Sequence, residues 1–217
     1  MNRVVRPDRR RRRIAAATLA AGAGLLGASL SAAPGSRRFY GLTLATAGTW
    51  VAGGALSGAF SRAEPSQREP DRRLVPPVAV AGVAFGGFCG GALVARRIPP
   101  LGRAVDSALG LAGGGSLPLV LLTTAANGIG EEVFFRGAVF DLAGRRPVVA
   151  STATYALVTA TTRNPALVLA AAVMGALFGW QRRATGSLRA PTVTHLTWSL
   201  LMVTVLPRVL RRPCAGR

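Results

Sequence analysis

The chain contains no lysine. All 27 of its basic side chains are arginine, against 8 acidic ones, and the formal net charge is +19 over 217 residues. Charged residues make up only 16% of the total, where a soluble domain carries about 25%. No segment reads as a soluble domain, and no internal repeat is visible. Cysteine is nearly absent. Cys89 lies in an apolar run and Cys214 near the C-terminus, which excludes a disulfide framework and any cysteine-based zinc spacing. Cys214-Ala215-Gly216-Arg217 has the form of a prenylation box, but Arg is a poor last residue for one, and the match is a coincidence. His195 is the only histidine, so no multi-histidine metal centre can form. The arginines flank apolar runs instead of lining one amphipathic face, so the charge does not point to nucleic acid; they read as topology signals.

What the chain has in quantity is charge-free length. Uncharged runs cover Ile14–Ser36, Phe39–Ser61, Leu74–Ala95, Ser107–Gly130, Pro147–Thr162, Asn164–Gln181 and Ala190–Pro207. A spanning helix needs about 20 apolar residues. The first four runs meet that length, and bundle neighbours with snorkelling flanks accommodate the shorter three. Abundant Gly and Ala suit close packing of membrane helices. The expected fold is all-α, a polytopic membrane bundle of about seven transmembrane helices, with six or eight as alternatives. The expected partner is the lipid bilayer, and the expected location the cell membrane, multi-pass.

The expected organisation is a basic cytoplasmic tail at 1–13, three plain helices with linkers at 14–106, a functional domain at 107–207 and a basic tail at 208–217. Ser61–Arg73 reads as an exposed polar loop. Arg96–Asp106 reads as a linker in which Pro99 and Pro100 break any helix. With the N-terminus inside, the tail plus Arg62, Arg68, Arg72, Arg73, Arg145, Arg146, Arg182, Arg183 and Arg189 fall on the inner side. Arg37, Arg38, Arg96, Arg97, Arg103, Arg163 and the C-terminal tail fall outside, a bias of 16 to 10. The excess favours that orientation. Arg9–Arg13 followed by an Ala-rich run also resembles a secretory or twin-arginine signal, but the run reaches Ser36, beyond a signal core, and an uncleaved first helix is the preferred reading.

Three constellations carry polar chemistry. After the uncharged Ser107–Gly130 come Glu131, Glu132 and Arg136, and each charge at mid-bilayer depth costs roughly 2.5–3.5 kcal/mol on insertion scales. Glu132 and Arg136 are four apart and can pair on one helix face. Glu131 points about 100° away, with Asn127 one turn back and Phe135 one turn on. One carboxylate is thereby neutralised, while the other stays free, as a general base requires. The second constellation is His195 with Ser199 one turn on, inside an apolar run, able to donate to a developing oxyanion. The third is Tyr155, Thr159 and Arg163 on one face, with Arg163 a possible orienter of Glu131. Each has a plainer reading: charges in water at a helix end, a histidine bonded to a neighbouring helix, a slightly polar helix.

Together the three resemble the CAAX protease and bacteriocin-processing family, the type II CAAX prenyl endopeptidases also called the Abi family. Its first motif is a glutamate pair, three residues, then arginine: here Glu131, Glu132 and Arg136, extended by Phe135 and Gly137. Its second is an aromatic residue followed four residues later by histidine, where this chain has Tyr155 and Thr159. Its third is histidine followed four residues later by Asn or Asp, where this chain has His195 and Ser199. Gly175, Gly179-Trp180, Arg182-Arg183, Thr185-Gly186-Ser187-Leu188 and Ala190-Pro191 resemble the usual approach to that third motif. The likeness covers about residues 107–207. It implies an intramembrane peptidase with its site in a cavity open to the cytoplasmic side. It further implies Glu131 as the base that activates water, Glu132–Arg136 as a structural pair and His195 at the oxyanion. Whether a divalent metal takes part is left open by the resemblance; a catalytic zinc normally takes three protein ligands, and only His195, Glu131 and Glu132 are on offer.

Two residues depart from the pattern. Thr159 has no basic nitrogen, and Ser199 offers a hydroxyl in place of an amide. Two functions follow: an endopeptidase cutting a membrane protein or peptide, or a degenerate relative that binds membrane peptides without cutting. A proton-coupled membrane protein is a third, though the paired broken helices of transporters are missing. The Arg-only, Ala-rich composition points to a GC-rich bacterial source, which favours bacteriocin-like peptides or membrane proteins over prenylated substrates.

Overall fold

The computed structural model describes residues 9–60 and 75–210. The loop expected at 61–73 and both terminal tails lie wholly or largely outside that range. The described residues form helices and turns only: α1 (Arg9–Leu30), α2 (Arg37–Leu56), α3 (Val75–Ala95), α4 (Pro99–Gly113), α5 (Leu117–Glu131), a π-helix (Glu132–Val139), α6 (Phe140–Leu142), α7 (Pro147–Thr159), a 3-10 turn (Ala160–Thr162), α8 (Pro165–Thr185), α9 (Arg189–Thr204) and α10 (Leu206–Leu210). Among the described residues four stretches are long and apolar enough to cross a membrane: Arg9–Leu30, Pro76–Ala95, Pro165–Thr185 and Arg189–Leu210. The α2 helix has similar length but is diluted by Gly and Thr. The continuous rod from α5 through α6 carries Glu131, Glu132, Arg136 and Asp141.

One expected spanning run is not a single helix. Ser107–Gly130 breaks at Gly114–Ser116, because consecutive glycines remove the side chains that favour helix and Pro118 sits in the first turn of the next one. The expected linker 96–106 is a helix start: Pro99 and Pro100 open α4, where a missing N–H costs nothing. Residue 106 therefore lies mid-helix. The α4 helix sits at one end of the bundle. Asn164, the N-cap of α8, accepts from the amides of Ala166 and Leu167 and donates to the Ala104 carbonyl at 3.0 Å. A Cβ on Gly35, at φ 76, would lie 2.1 Å from the Gly114 carbonyl oxygen. Arg96 donates to the Leu210 carbonyl and pairs with Asp106 at 2.7 Å.

This end gathers Arg37, Arg38, Arg96, Arg97, Arg103, Arg163 and Arg208. The opposite end gathers Arg9–Arg13, Arg145, Arg146, Arg182, Arg183 and Arg189. There Gly137 packs on Ala59 and Leu188, and Arg182 reaches Asp141 at 3.9 Å and the Arg136 carbonyl at 3.2 Å.

The core lies between α1, α2 and the π-helix. Trp50, fully buried, stacks on Phe134 at 5.0 Å and tilts against Phe135 at 5.1 Å. The i→i+5 turn holds more residues per turn than an α-helix, so sequence neighbours diverge less in direction, and both phenyl rings can meet the one indole. The Phe135 carbonyl accepts from Ser151 Oγ at 2.8 Å, which ties α7 to this turn. Gly22 lets the indole in, since a Cβ there would lie 2.1 Å from Trp50 Cη2.

Gly22→Ala should therefore lower the thermal unfolding midpoint in detergent, by an overpacking cost of roughly 1–3 kcal/mol. Gly24→Ala, where nothing lies within 4 Å, should leave it unchanged or raise it slightly. Equal midpoints for the two variants would contradict the packing described.

Candidate active site

The rod α5–π brings two adjacent carboxylates to the centre of the bundle, where Glu131 is 6% and Glu132 0% exposed. Neither side chain lies in water at a helix end. Glu132 Oε1 lies 3.3 Å from Arg136 Nη1, with both side chains fully buried. The turn here is π-helical, not the α-helix that the spacing suggests, and the contact is an ion pair without good hydrogen-bond alignment. The guanidinium is also sandwiched: its carbon sits 4.7 Å from the Tyr155 ring centre and 5.1 Å from that of Phe178. Aromatic faces supply favourable electrostatics for a cation whose nitrogens find few acceptors.

The α9 helix presents His195 to the same place. Its Nδ1 lies 2.8 Å from Glu132 Oε1, and its Nε2 lies 3.8 Å from Glu131 Oε2. The ring stacks on Phe178 at 4.7 Å and 19°. As the carboxylate partner of Arg136, Glu132 accepts hydrogen bonds, so the proton on this edge of the ring belongs to Nδ1. Such an orienting carboxylate fixes the tautomer of the imidazole it holds.

Glu131 is not free, as the spacing had suggested. Asn127 Nδ2 donates to its Oε1 at 2.6 Å, and the Tyr155 hydroxyl donates to its Oε2 at 2.7 Å. Asn127, one turn back, is legible from the sequence. Tyr155 is there as the second-motif aromatic, but its bond to Glu131 spans two helices and has no local signal. Phe178, the floor under His195 and Arg136, carries no sequence signal at all.

The two substituted positions behave differently. Thr159 lines a cavity with Glu131, but its hydroxyl donates to the Tyr155 carbonyl one turn back, at 2.9 Å. Ser199 is buried on the His195 face of α9. Arg163 is not on the Tyr155–Thr159 face. The α-helix ends at Thr159, a 3-10 turn follows, and Arg163 adopts φ 55 at an exposed position.

The cavity holds about 160 Å³. Glu131, Tyr155 and Thr159 supply its polar wall, and Leu26, Leu30, Leu167 and Met174 are among its apolar lining. Leu30 closes α1, Thr162 belongs to the 3-10 turn and Leu167 opens α8. The cavity thus runs from Glu131 toward the bundle end away from Arg9–Arg13. The arginine bias, read with the N-terminus inside, makes that the outer end, whereas the resemblance implies a cytoplasmic opening, so the two expectations put the cavity on different sides.

The donor set does not fit a catalytic metal. Among the described residues no three His, Cys, Asp or Glu side chains are grouped to hold an ion. Glu132 Oε1 is taken by Arg136 and by the donor edge of His195, and both Glu131 oxygens accept hydrogen bonds, which leaves Glu132 Oε2 and His195 Nε2. Two donors are one short of the usual three, and the adjacent guanidinium opposes a further cation.

Residues 113–201 match the model of a protein family described as type II CAAX prenyl endopeptidase Rce1-like. No curated protein and no solved structure matches the chain. The matched segment begins at the glycine break before α5 and ends in α9, so it contains both carboxylates, Arg136, Tyr155, Thr159, His195 and Ser199. Over that segment the chain is similar to the type II CAAX prenyl endopeptidase family, and the long apolar helices of the described residues suit a membrane.

Proposed function

We propose that this chain is a multi-pass endopeptidase of the cell membrane. It hydrolyses a peptide bond of a membrane-associated protein or peptide with a water activated by Glu131. The observation that carries the reading is the approach of Glu131 Oε2 and His195 Nε2, 3.8 Å apart and buried, beside a cavity. With its proton on Nδ1, neutral His195 turns an acceptor lone pair toward Glu131. A water taken between the two has an acceptor for each proton and keeps a lone pair for the substrate carbonyl. Glu131 takes the proton as the carbon–oxygen bond forms. Asn127 and Tyr155 hold its carboxylate in one orientation, and Glu132 with Arg136 holds the imidazole. Ser199 is the nearest counterpart to an oxyanion donor at the third-motif position. In this arrangement His195 acts first as an acceptor, not as an oxyanion donor. The chemistry is assigned to the glutamate alone, without a metal.

One observation favours the non-cutting alternative. Thr159 spends its hydroxyl on its own helix, so the second motif brings no titratable group of its own from position 159. A general acid–base partner is typically worth 10²–10⁴-fold in rate.

Membrane proteomes of cells making the wild type or Glu131→Gln separate the readings. Internal or C-terminal fragments present with the wild type should vanish with the variant, because Gln keeps the shape and loses the base. Identical fragment patterns would remove the peptidase reading and leave the binding one.

Sidedness has its own test, in a chain whose Cys89 and Cys214 are replaced by Ser. A membrane-impermeant maleimide added to intact cells should label Thr162→Cys, beside the cavity, and should reach Arg145→Cys only after permeabilisation. The reverse pattern would put the cavity on the cytoplasmic side.

A further inference from the structure

Thr159 leaves a gap in the reaction: after water attacks, the departing amine needs a proton, and no histidine stands at that position to deliver it. The same turn of α7 carries another hydroxyl. Tyr155 donates its phenolic O–H to Glu131 Oε2 at 2.7 Å, and both residues line the cavity. Its ring is pinned, with Phe135 at 5.0 Å and the Arg136 guanidinium at 4.7 Å. His195 is worse placed for the same task. Its Nε2 is 3.8 Å from that oxygen, beyond direct hydrogen-bond reach, and its Nδ1 is committed to Glu132 at 2.8 Å.

We propose that Tyr155 is a catalytic residue of the hydrolysis described above, relaying the proton from Glu131 to the leaving nitrogen. The inference rests on the peptidase reading and supplies the group that Thr159 lacks. A phenol both donates and accepts, so the step balances. Water gives one proton to Glu131 as its oxygen bonds to the carbonyl carbon. The phenol then passes its own proton to the amide nitrogen as the carbon–nitrogen bond breaks, and takes the proton held by Glu131 in exchange. Glu131 ends ionised, Tyr155 ends protonated, and the products are a carboxylic acid and an amine. No metal, oxidant or further reactant is needed.

A purely structural tyrosine would hold Glu131 in place and nothing more. The two roles separate in a rescue experiment, because Thr159 lines the cavity within a turn of Tyr155 and a histidine there could reach the same nitrogen. Purified wild type, Glu131→Gln, Tyr155→Phe, Thr159→His and the Tyr155→Phe/Thr159→His double variant are assayed in proteoliposomes. The substrate is a synthetic peptide spanning a site that the proteome comparison identifies. Tyr155→Phe keeps the ring and its packing. It should lower kcat by about 10²–10⁴-fold, as loss of a proton-transfer group does, with KM within about twofold of wild type. The double variant should regain at least about tenfold in kcat over Tyr155→Phe. Its pH–rate profile should show a limb in the range where histidine titrates.

Wild-type kcat in Tyr155→Phe, with Glu131→Gln inactive, would overturn this inference and leave the peptidase reading standing. A loss in Tyr155→Phe that Thr159→His does not lift at all would also overturn it, leaving the phenol a positioning role only. A wild type no more active than Glu131→Gln would remove both readings together.

Discussion

The structure depends on how one carboxylate oxygen is shared. Glu132 Oε1 meets Arg136 Nη1 at 3.3 Å and His195 Nδ1 at 2.8 Å, with no solvent on Glu132 or Arg136. Removing two charges from water costs several kcal/mol each, and their attraction offsets that only with good geometry and further hydrogen bonds. Here the geometry is incomplete. Among the described residues the guanidinium nitrogens and Glu132 Oε2 find no hydrogen-bond partner, and two aromatic rings supply part of what is missing. An ion pair of this kind contributes little to stability by itself. What it does is fix His195, and through His195 the geometry opposite Glu131.

Everything around the pair serves to keep it in register. The π-helix sets Phe134 and Phe135 against Trp50 while Glu132 and Arg136 face inward from the same turns. Ser151 satisfies the Phe135 carbonyl and joins α7 to the rod, which brings Tyr155 to Glu131. Phe178 on α8 forms the floor for both His195 and Arg136. Four helical elements distant in sequence therefore meet at one point, and the small cavity begins there. The wall is polar at Glu131, Tyr155 and Thr159 and apolar beyond.

Much of this was legible in the residues. Charge-free runs located most of the helices, and the spacing of Glu131, Glu132 and Arg136 pointed to the segment where the buried charges meet, because charge inside apolar sequence is costly enough to be informative. The i−4 position of Asn127 was readable for the same reason. The break at Gly114–Ser116 was not, since glycine leaves a run uncharged while it ends a helix. Pro99 and Pro100 read as breakers, yet a proline that stops one helix also starts another. The π-turn has no periodic signature over eight residues. The bonds that matter most, Tyr155 to Glu131 and His195 to Glu132, join positions 24 and 63 residues apart. Only tertiary packing decides such pairs. For the same reason the sequence suggested a free Glu131, when both its oxygens are occupied.

The central claim is that Glu131 and His195 act on one water as a unit, across two helices. A double-mutant cycle tests it most directly, with kcat measured for Glu131→Gln, His195→Asn and the pair. Groups that act as a unit are strongly non-additive: once one is gone, removing the other costs little more. The account predicts a double variant no slower than the slower single one. Losses that multiply, each residue contributing its full factor in the absence of the other, would contradict it.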